Sequence, residues 1–148
     1  MPFHFTLQSV LHLRQSLEHQ QELRLRTANQ RVAQIRHLIE QMDLHRQQLH
    51  SVEGNQLGTG ITSAELRFNL QCDVELLRHR RGLEQEAARL QQLRDQQREI
   101  FQQARRARET LENVRDQQLQ MYRKQAARRE QTSLDELFLL RREYLRRG

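Results

Sequence analysis

The sequence predicts an all-α protein, a long antiparallel two-helix coiled-coil hairpin, and three observations support this prediction. Apolar residues recur at alternating steps of three and four in two stretches, which is the spacing of a coiled-coil seam. Gly54, Gly58 and Gly60 lie between the two stretches, where a chain reversal needs conformational freedom. The composition is 30% charged and only 5% aromatic, which is typical of long helices rather than of a globular core. We therefore expect a single rod-like coiled-coil domain over residues 1–148.

The first helix is predicted over about residues 7–50, because no proline or glycine interrupts this stretch. Thr6 can cap its first turn, and Phe5 and Val10 would form a hydrophobic staple around that cap. The apolar seam of this helix consists of Leu25, Ala28, Val32, Ile35, Ile39, Met42 and Leu49.

The second helix is predicted to begin directly after a glycine-containing loop. The loop covers about residues 51–62, and the reversal is expected near Gln56. Thr62 and Glu65 then match a capping box, in which each side chain accepts a hydrogen bond from the other residue's backbone N–H. Helix 2 is therefore predicted over about residues 63–131. The later part of its seam consists of Leu90, Leu93, Gln97, Ile100, Ala104, Ala107, Leu111, Val114, Gln118 and Met121.

The end of the chain contains a second possible helix start. Ser133 and Glu136 match a capping box, and a short apolar segment surrounds them. Either helix 2 continues through this part, or a separate C-terminal helical segment covers about residues 133–146. Both possibilities stay open at this point.

Helix 2 is predicted to be longer than helix 1. With a reversal near Gln56, Phe5 lies beside about Arg108, and helix 2 continues beyond that point. The apolar stripe beyond the paired part consists of Leu111, Val114, Met121 and Tyr122. This stripe is a docking surface if it is unpartnered, or part of the core if the C-terminal segment folds back over it.

The sequence contains no recognisable catalytic or metal-binding motif, so we predict a protein that is not an enzyme and needs no cofactor. None of the seven histidines has a histidine four residues away, the spacing of a helical zinc site. Cys72 is the single cysteine and has no CxxC partner. The GxG at residues 58–60 follows a helix rather than a strand, which makes it a turn and not a dinucleotide loop.

The charge balance predicts attraction to acidic partners. The sequence has 25 Lys+Arg against 19 Asp+Glu, and every one of these basic residues except Lys124 is arginine. Recurring arginine pairs allow nucleic-acid binding, but few aromatic side chains are present to stack bases, so nucleic acid is not expected as a partner. No run reaches the length of a membrane span, and no secretory signal is recognisable. We expect a cytoplasmic protein that is monomeric in isolation.

Three short patterns in this order resemble the FliJ family, the stalk proteins of the flagellar type III export apparatus. They are FxLxxVLxLR at residues 5–14, GxGIxS at residues 58–63 and LDEL at residues 134–137. The resemblance spans the chain. It implies an antiparallel coiled coil whose terminal end enters the hexameric export ATPase ring and whose hairpin tip faces the membrane export gate protein. It also implies contact with export chaperones and a location at the cytoplasmic face of the inner membrane.

The resemblance also implies which residues contact each partner. The residues expected at the ATPase ring are Phe5, Leu7, Val10, Leu11, Arg14, Asp135, Glu136 and Leu137. The residues expected at the export gate are Met42, His45, Leu49, Cys72 and Leu76. Three alternatives remain: the related YscO-like stalk of a virulence injectisome, a basic coiled coil that binds nucleic acid, and a dimerising scaffold.

Overall fold

The computed structural model describes residues 2–148 and consists of two α-helices. Helix α1 spans Gln8–Thr59 and helix α2 spans Ser63–Arg147. No strand occurs in this part of the chain. The two helices pack against each other in opposite directions, so the predicted all-α hairpin is confirmed.

The chain reverses later than the sequence predicted. Helix α1 continues through Gly54 and Gly58 to Thr59, and only Gly60 adopts a positive φ, of 87°. The predicted loop over residues 51–62 and the reversal near Gln56 are therefore wrong. A glycine tolerates helical dihedrals at a cost of about 1 kcal/mol relative to alanine, so Gly54 and Gly58 weaken the helix without ending it. The reversal needs one left-handed residue, which Gly60 supplies.

Helix α2 starts as predicted, whereas α1 starts with a different arrangement. The Thr62 N–H donates to Glu65 Oε2 at 3.1 Å, and the Glu65 N–H donates to Thr62 Oγ1 at 3.2 Å. This reciprocal pair confirms the capping box. At the start of α1 the Gln8 N–H donates to the Phe5 carbonyl at 3.2 Å, so a backbone turn precedes the helix.

Helix α2 continues without a break to Arg147, so no separate segment starts at residue 133. The Thr132 hydroxyl donates to the Arg128 carbonyl at 2.9 Å, one turn earlier in the same helix. A third helix would need residues 131–133 to leave the helical conformation. No proline or glycine occurs there to favour such a break.

The chain divides into two compact units, a finer division than the single predicted domain. The turn unit comprises His19–Gln102, and the terminal unit combines the start of the chain up to Glu18 with Gln103–Gly148. Each unit contains parts of both helices. They are described separately below.

Polar pairs set the alignment of the helices in the turn unit. Arg80 donates to both carboxylate oxygens of Asp43, at 2.7 Å from Nε and 3.3 Å from Nη2. Arg46 Nε donates to Asp73 Oδ1 at 3.0 Å. Both pairs join α1 to α2 around a reversal at Gly60, and their geometry resists slippage of one helix along the other.

Pairing in the terminal unit extends further along α2 than expected. Arg108 pairs with Glu18 instead of lying beside Phe5. The Phe3 ring contacts the Tyr122 ring, with 5.6 Å between the centroids. The later reversal moves every partner on α2 toward the C-terminus. The predicted unpaired stripe is therefore wrong for Leu111, Val114 and Tyr122, which are half-buried, although Met121 is 61% exposed.

The core is narrow and contains small side chains as well as large ones. The buried hydrophobic residues are Phe5, Leu11, Val32, Ile35 and Ala87. The predicted seam of α1 is confirmed, because all seven of its members are buried or half-buried.

The seam of α2 is displaced by one residue at several positions. Leu93, Ile100, Gln118 and Met121 are exposed, and Arg94, Phe101, Leu119 and Tyr122 are half-buried beside them. At two of these positions the rings of Phe101 and Tyr122 bury more apolar area than the neighbouring Ile100 and Met121 side chains, which explains the displacement there.

Candidate partner-binding surfaces

The five N-terminal residues expected at the ATPase ring divide into two groups. Phe5 and Leu11 are 4% and 0% exposed and belong to the core of the terminal unit. Leu7, Val10 and Arg14 are exposed. Their spacing of three and four residues places them on one face of the helical turn and α1. Only these three side chains are available to a partner without unpacking the helices.

The C-terminal residues expected at the same ring are all exposed on α2. Asp135, Glu136 and Leu137 lie in a stretch where no residue after Ala126 is buried or half-buried. We call the exposed apolar residues on one side of this stretch the C-terminal apolar face. It consists of Leu134, Leu137, Phe138, Tyr144 and Leu145, which are 62–81% exposed.

The structure does not bring these two groups into one patch. Phe3 lies beside Tyr122, and Asp135 is 13 residues further along α2. At 1.5 Å per residue this separation is about 20 Å along the helix axis. The terminal unit therefore presents two separate surfaces.

An ion cluster joins the helices next to the N-terminal surface. Arg108 donates to Glu18 on α1, and its Nη1 donates to Glu112 Oε2 on α2 at 2.6 Å. The three side chains are 17–28% exposed. The hydrogen bond to Glu18, followed by that to Glu112, raises the pKa of Arg108 above its usual value. The guanidinium group is held in its charged form, and it fixes α1 against α2 one turn from Arg14.

Four of the five residues expected at the export gate line one groove in the turn unit. His45, Leu49, Cys72 and Leu76 line a groove of about 690 Å³, and Met42 is half-buried outside it. Both helices contribute to the groove. The remaining lining residues are His50, Val52, Glu53, Gln56, Phe68, Asn69, Asp73, Glu75 and His79.

Charged and imidazole groups border this groove on one side. His50 Nε2 lies 3.3 Å from Asp73 Oδ1, and His50 Nδ1 lies 3.6 Å from Glu53 Oε2. Arg46 pairs with the same Asp73 oxygen at 3.0 Å. The groove thus combines apolar lining residues with carboxylate, guanidinium and imidazole groups, an arrangement suited to binding a protein side chain.

Sequence reasoning missed the exposed aromatic residues of the groove in the turn unit and of the C-terminal apolar face. Phe68 is 65% exposed at the groove, and Phe138 and Tyr144 are 67% and 81% exposed near the C-terminus. The available signal was the rarity of aromatic residues. With five Phe and two Tyr in the chain, an aromatic residue outside the seam indicates a contact surface.

Neither helix, over the residues described, contains a stretch long and apolar enough to span a bilayer. Over the same residues, no three His, Cys, Asp or Glu side chains come together as a metal site.

Comparison with known proteins identifies one family. The family model described as "Flagellar FliJ protein" matches residues 3–148, nearly the whole chain. No curated protein and no solved structure matches the chain significantly.

Proposed function

Because the chain belongs to the FliJ family of flagellar proteins, we propose that it is the non-enzymatic stalk of the flagellar type III export apparatus. Its terminal unit binds the hexameric export ATPase ring, and the groove in its turn unit binds the export gate protein. The observation that carries this proposal is the family match over residues 3–148. It also favours the flagellar apparatus over the injectisome alternative.

The contact with the ATPase ring is assigned to the exposed members of the expected set, which are Asp135, Glu136 and Leu137 on α2 and three residues near the start of α1. Leu7, Val10 and Arg14 supply two apolar side chains and one guanidinium group on one face. Arginine is enriched among the few residues that carry most of the binding energy of a protein interface. Phe5 and Leu11 support this surface from the core and do not contact the ring.

The contact with the export gate is assigned to the groove in the turn unit. Leu49, Cys72 and Leu76 form its apolar part, and Phe68 is the large exposed side chain at its edge. His45 contributes a polar group to the same groove. Met42 supports the pairing of the helices and does not contact the gate.

The proposed mechanism is allosteric. A hairpin of two unequal helices has no sixfold symmetry, so it contacts the six ATPase subunits differently. A ligand that binds one conformation of a subunit better than another shifts the population toward that conformation. The stalk thereby couples its own position to nucleotide turnover in the ring. Binding to export chaperones and a location at the cytoplasmic face of the inner membrane belong to the same proposal.

The experiment that tests the proposal measures ATP hydrolysis by the purified export ATPase with and without this chain. We expect a changed rate and co-elution of the two proteins. A triple variant, Leu7→Ala, Val10→Ala and Arg14→Glu, is expected to weaken binding at least about tenfold, because truncating one of the few residues that carry most of an interface's binding energy costs about 2 kcal/mol or more.

A control carries one truncation of an apolar side chain and one charge reversal in the turn unit. Leu23→Ala and Arg24→Glu alter exposed residues of α1 outside both assigned contacts. This control is expected to bind the ATPase as the unmodified chain does. Absence of binding by the unmodified chain, together with an unchanged rate of hydrolysis, contradicts the proposal.

A further inference from the structure

The last ten residues of α2 combine large apolar side chains with unpaired arginines. Phe138, Tyr144 and Leu145 of the C-terminal apolar face are 67%, 81% and 70% exposed. We call Arg141, Arg142, Arg146 and Arg147 the C-terminal arginines. Over residues 138–147 Glu143 is the one carboxylate, against four guanidinium groups.

Most arginines in the paired part of α2 form ion pairs with carboxylates, whereas, in the part of the chain that the structure describes, the C-terminal arginines do not. Arg105 pairs with Glu109 at 3.0 Å, and Arg89 pairs with Glu86 at 2.5 Å. None of the four C-terminal arginines forms an ion pair within the described residues. Their charge is therefore available to an anionic partner.

Helical geometry arranges these groups as an amphipathic helix. At 100° per residue, the C-terminal apolar face covers about 120° of the helix circumference. Arg142 and Arg146 lie along one flank of this face and Arg147 lies on the other. Glu136 and Glu143 lie on the opposite side together with Leu139, which is 56% exposed. Leu140, 62% exposed, lies next to Arg147, and Asp135 lies on a flank at the start of the stretch.

Apolar and cationic side chains also meet in one surface groove. Phe138, Leu145, Arg141, Arg142 and Arg146 line a shallow groove of about 450 Å³. Arg141 projects from within the apolar face, where a long side chain keeps its charged end at a polar boundary while its methylene groups contact apolar material.

We propose that residues 134–147 bind the surface of an anionic lipid bilayer. The C-terminal apolar face enters the boundary between headgroups and acyl chains, and the C-terminal arginines bind lipid phosphates. Charge complementarity favours this occupant, because guanidinium groups on both flanks match a plane of phosphates. The helix lies on the bilayer and does not span it, in agreement with the absence of a spanning stretch over the described residues.

This inference goes beyond the proposed stalk function and adds a second use of the same helix end. Leu137 belongs both to the residues expected at the ATPase ring and to the C-terminal apolar face. Binding to the ring and binding to lipid therefore exclude each other at this position. Excess export ATPase is expected to release the chain from vesicles.

The test uses the full-length chain with Tyr144→Trp as a fluorescent reporter. The chain has no other tryptophan, and position 144 is 81% exposed. With vesicles of phosphatidylglycerol and phosphatidylcholine we expect a blue shift of emission and co-sedimentation. With phosphatidylcholine alone we expect neither, and added salt is expected to reverse binding.

A charge-matched pair of variants identifies the binding segment. Replacing the four C-terminal arginines by glutamine is expected to weaken vesicle binding by about a hundredfold or more, at roughly fivefold per arginine near the surface. The control replaces Arg24, Arg31, Arg36 and Arg67 by glutamine, which removes the same charge from exposed and unpaired positions in the turn unit. Circular dichroism verifies that both variants stay helical.

Three outcomes overturn the inference. The first is no blue shift with anionic vesicles, and the second is equal loss of binding in the two variants. The third is loss of binding to the export ATPase, but not to vesicles, when the C-terminal arginines are replaced, which identifies the segment as a protein contact. If the chain alters ATP hydrolysis but does not bind vesicles, the result contradicts this inference alone and still supports the proposed stalk function.

Discussion

Two consecutive stretches of α2 in the terminal unit, residues 103–122 and residues 123–147, show opposite relations between side-chain size and burial. In the first, Ala104, Ala107 and even Arg108 are half-buried. In the second, Leu134 and Phe138 are 66% and 67% exposed. The difference is the presence of the N-terminal part of the chain, which ends its pairing beside Tyr122.

The comparison teaches that burial in a two-helix protein depends on a partner and only secondarily on hydrophobicity. A single helix cannot bury its own side chains, so even a leucine-rich stretch stays exposed without a second helix. Conversely, a paired helix covers alanine and arginine because they happen to face the seam. Exposed apolar surface of this kind indicates a binding partner.

The largest expected effect compares a leucine in each situation. Leu11→Ala removes a side chain that is 0% exposed, and we expect the free energy of unfolding to fall by about 2–4 kcal/mol. Leu134→Ala removes one that is 66% exposed and is expected to change stability by less than about 0.5 kcal/mol. Chemical denaturation followed by circular dichroism measures both. Equal destabilisation by the two changes would mean that α2 after Tyr122 is also covered.

A smaller loss of stability is expected at the ion cluster of Arg108, Glu18 and Glu112 in the terminal unit. Arg108→Ala leaves Glu18 and Glu112 half-buried without their cation, and we expect a loss of about 1–2 kcal/mol. Arg106→Ala, at an exposed position of the same helix, is expected to stay within about 0.5 kcal/mol. A double-mutant cycle with Glu18→Ala isolates the coupling between the helices. Additive losses would show that the pair does not stabilise the hairpin.

The three glycines near the chain reversal allow a comparison within the turn unit, between two helical positions and one left-handed position. Gly54→Ala and Gly58→Ala are each expected to stabilise the chain by up to about 1 kcal/mol, because both lie in α1 with no atom within 4 Å of an added Cβ. Gly60→Ala is expected to destabilise it by about 1 kcal/mol, because its φ is 87°. Thermal unfolding measures the three shifts. Destabilisation by all three changes would instead support the loop over about residues 51–62 that the sequence predicted.

The smallest effect concerns an ion pair on the exposed side of α2. The hydrogen bond from Arg89 lowers the pKa of Glu86 below its ordinary value of 4.5. Since the folded-state pKa is lowered, the pair stabilises the chain above that ordinary value and loses its effect as the pH falls through the lowered pKa. We expect Glu86→Gln to lower the melting temperature slightly at neutral pH and not at strongly acidic pH. A difference that persists in acid would exclude the ion pair as its cause.

Much of the fold was predictable because it follows from local chemistry. The capping box at Thr62 and Glu65 depends on two side chains and the backbone between them, all close in sequence. The α1 seam follows from apolar spacing alone. The position of the reversal was not predictable in this way, because Gly54, Gly58 and Gly60 are chemically identical and only the pairing of the helices selects Gly60 as the left-handed residue.

The candidate surfaces were less predictable than the fold because exposure depends on which residues are paired. Phe5 and Leu7 belong to the same short pattern, yet one is 4% exposed and the other 40%. The one-residue displacement of the α2 seam at Phe101 and Tyr122 likewise depends on the relative size of neighbouring side chains. The exposed fraction of each side chain and its position in the seam are defined only when the two helices are packed together.

The groove in the turn unit has a practical consequence through Cys72. This is the single thiol of the sequence, and it is half-buried in the groove wall. A maleimide dye therefore attaches at one defined place without any substitution. Protection of this thiol from alkylation reports, in real time, when another protein occupies the groove.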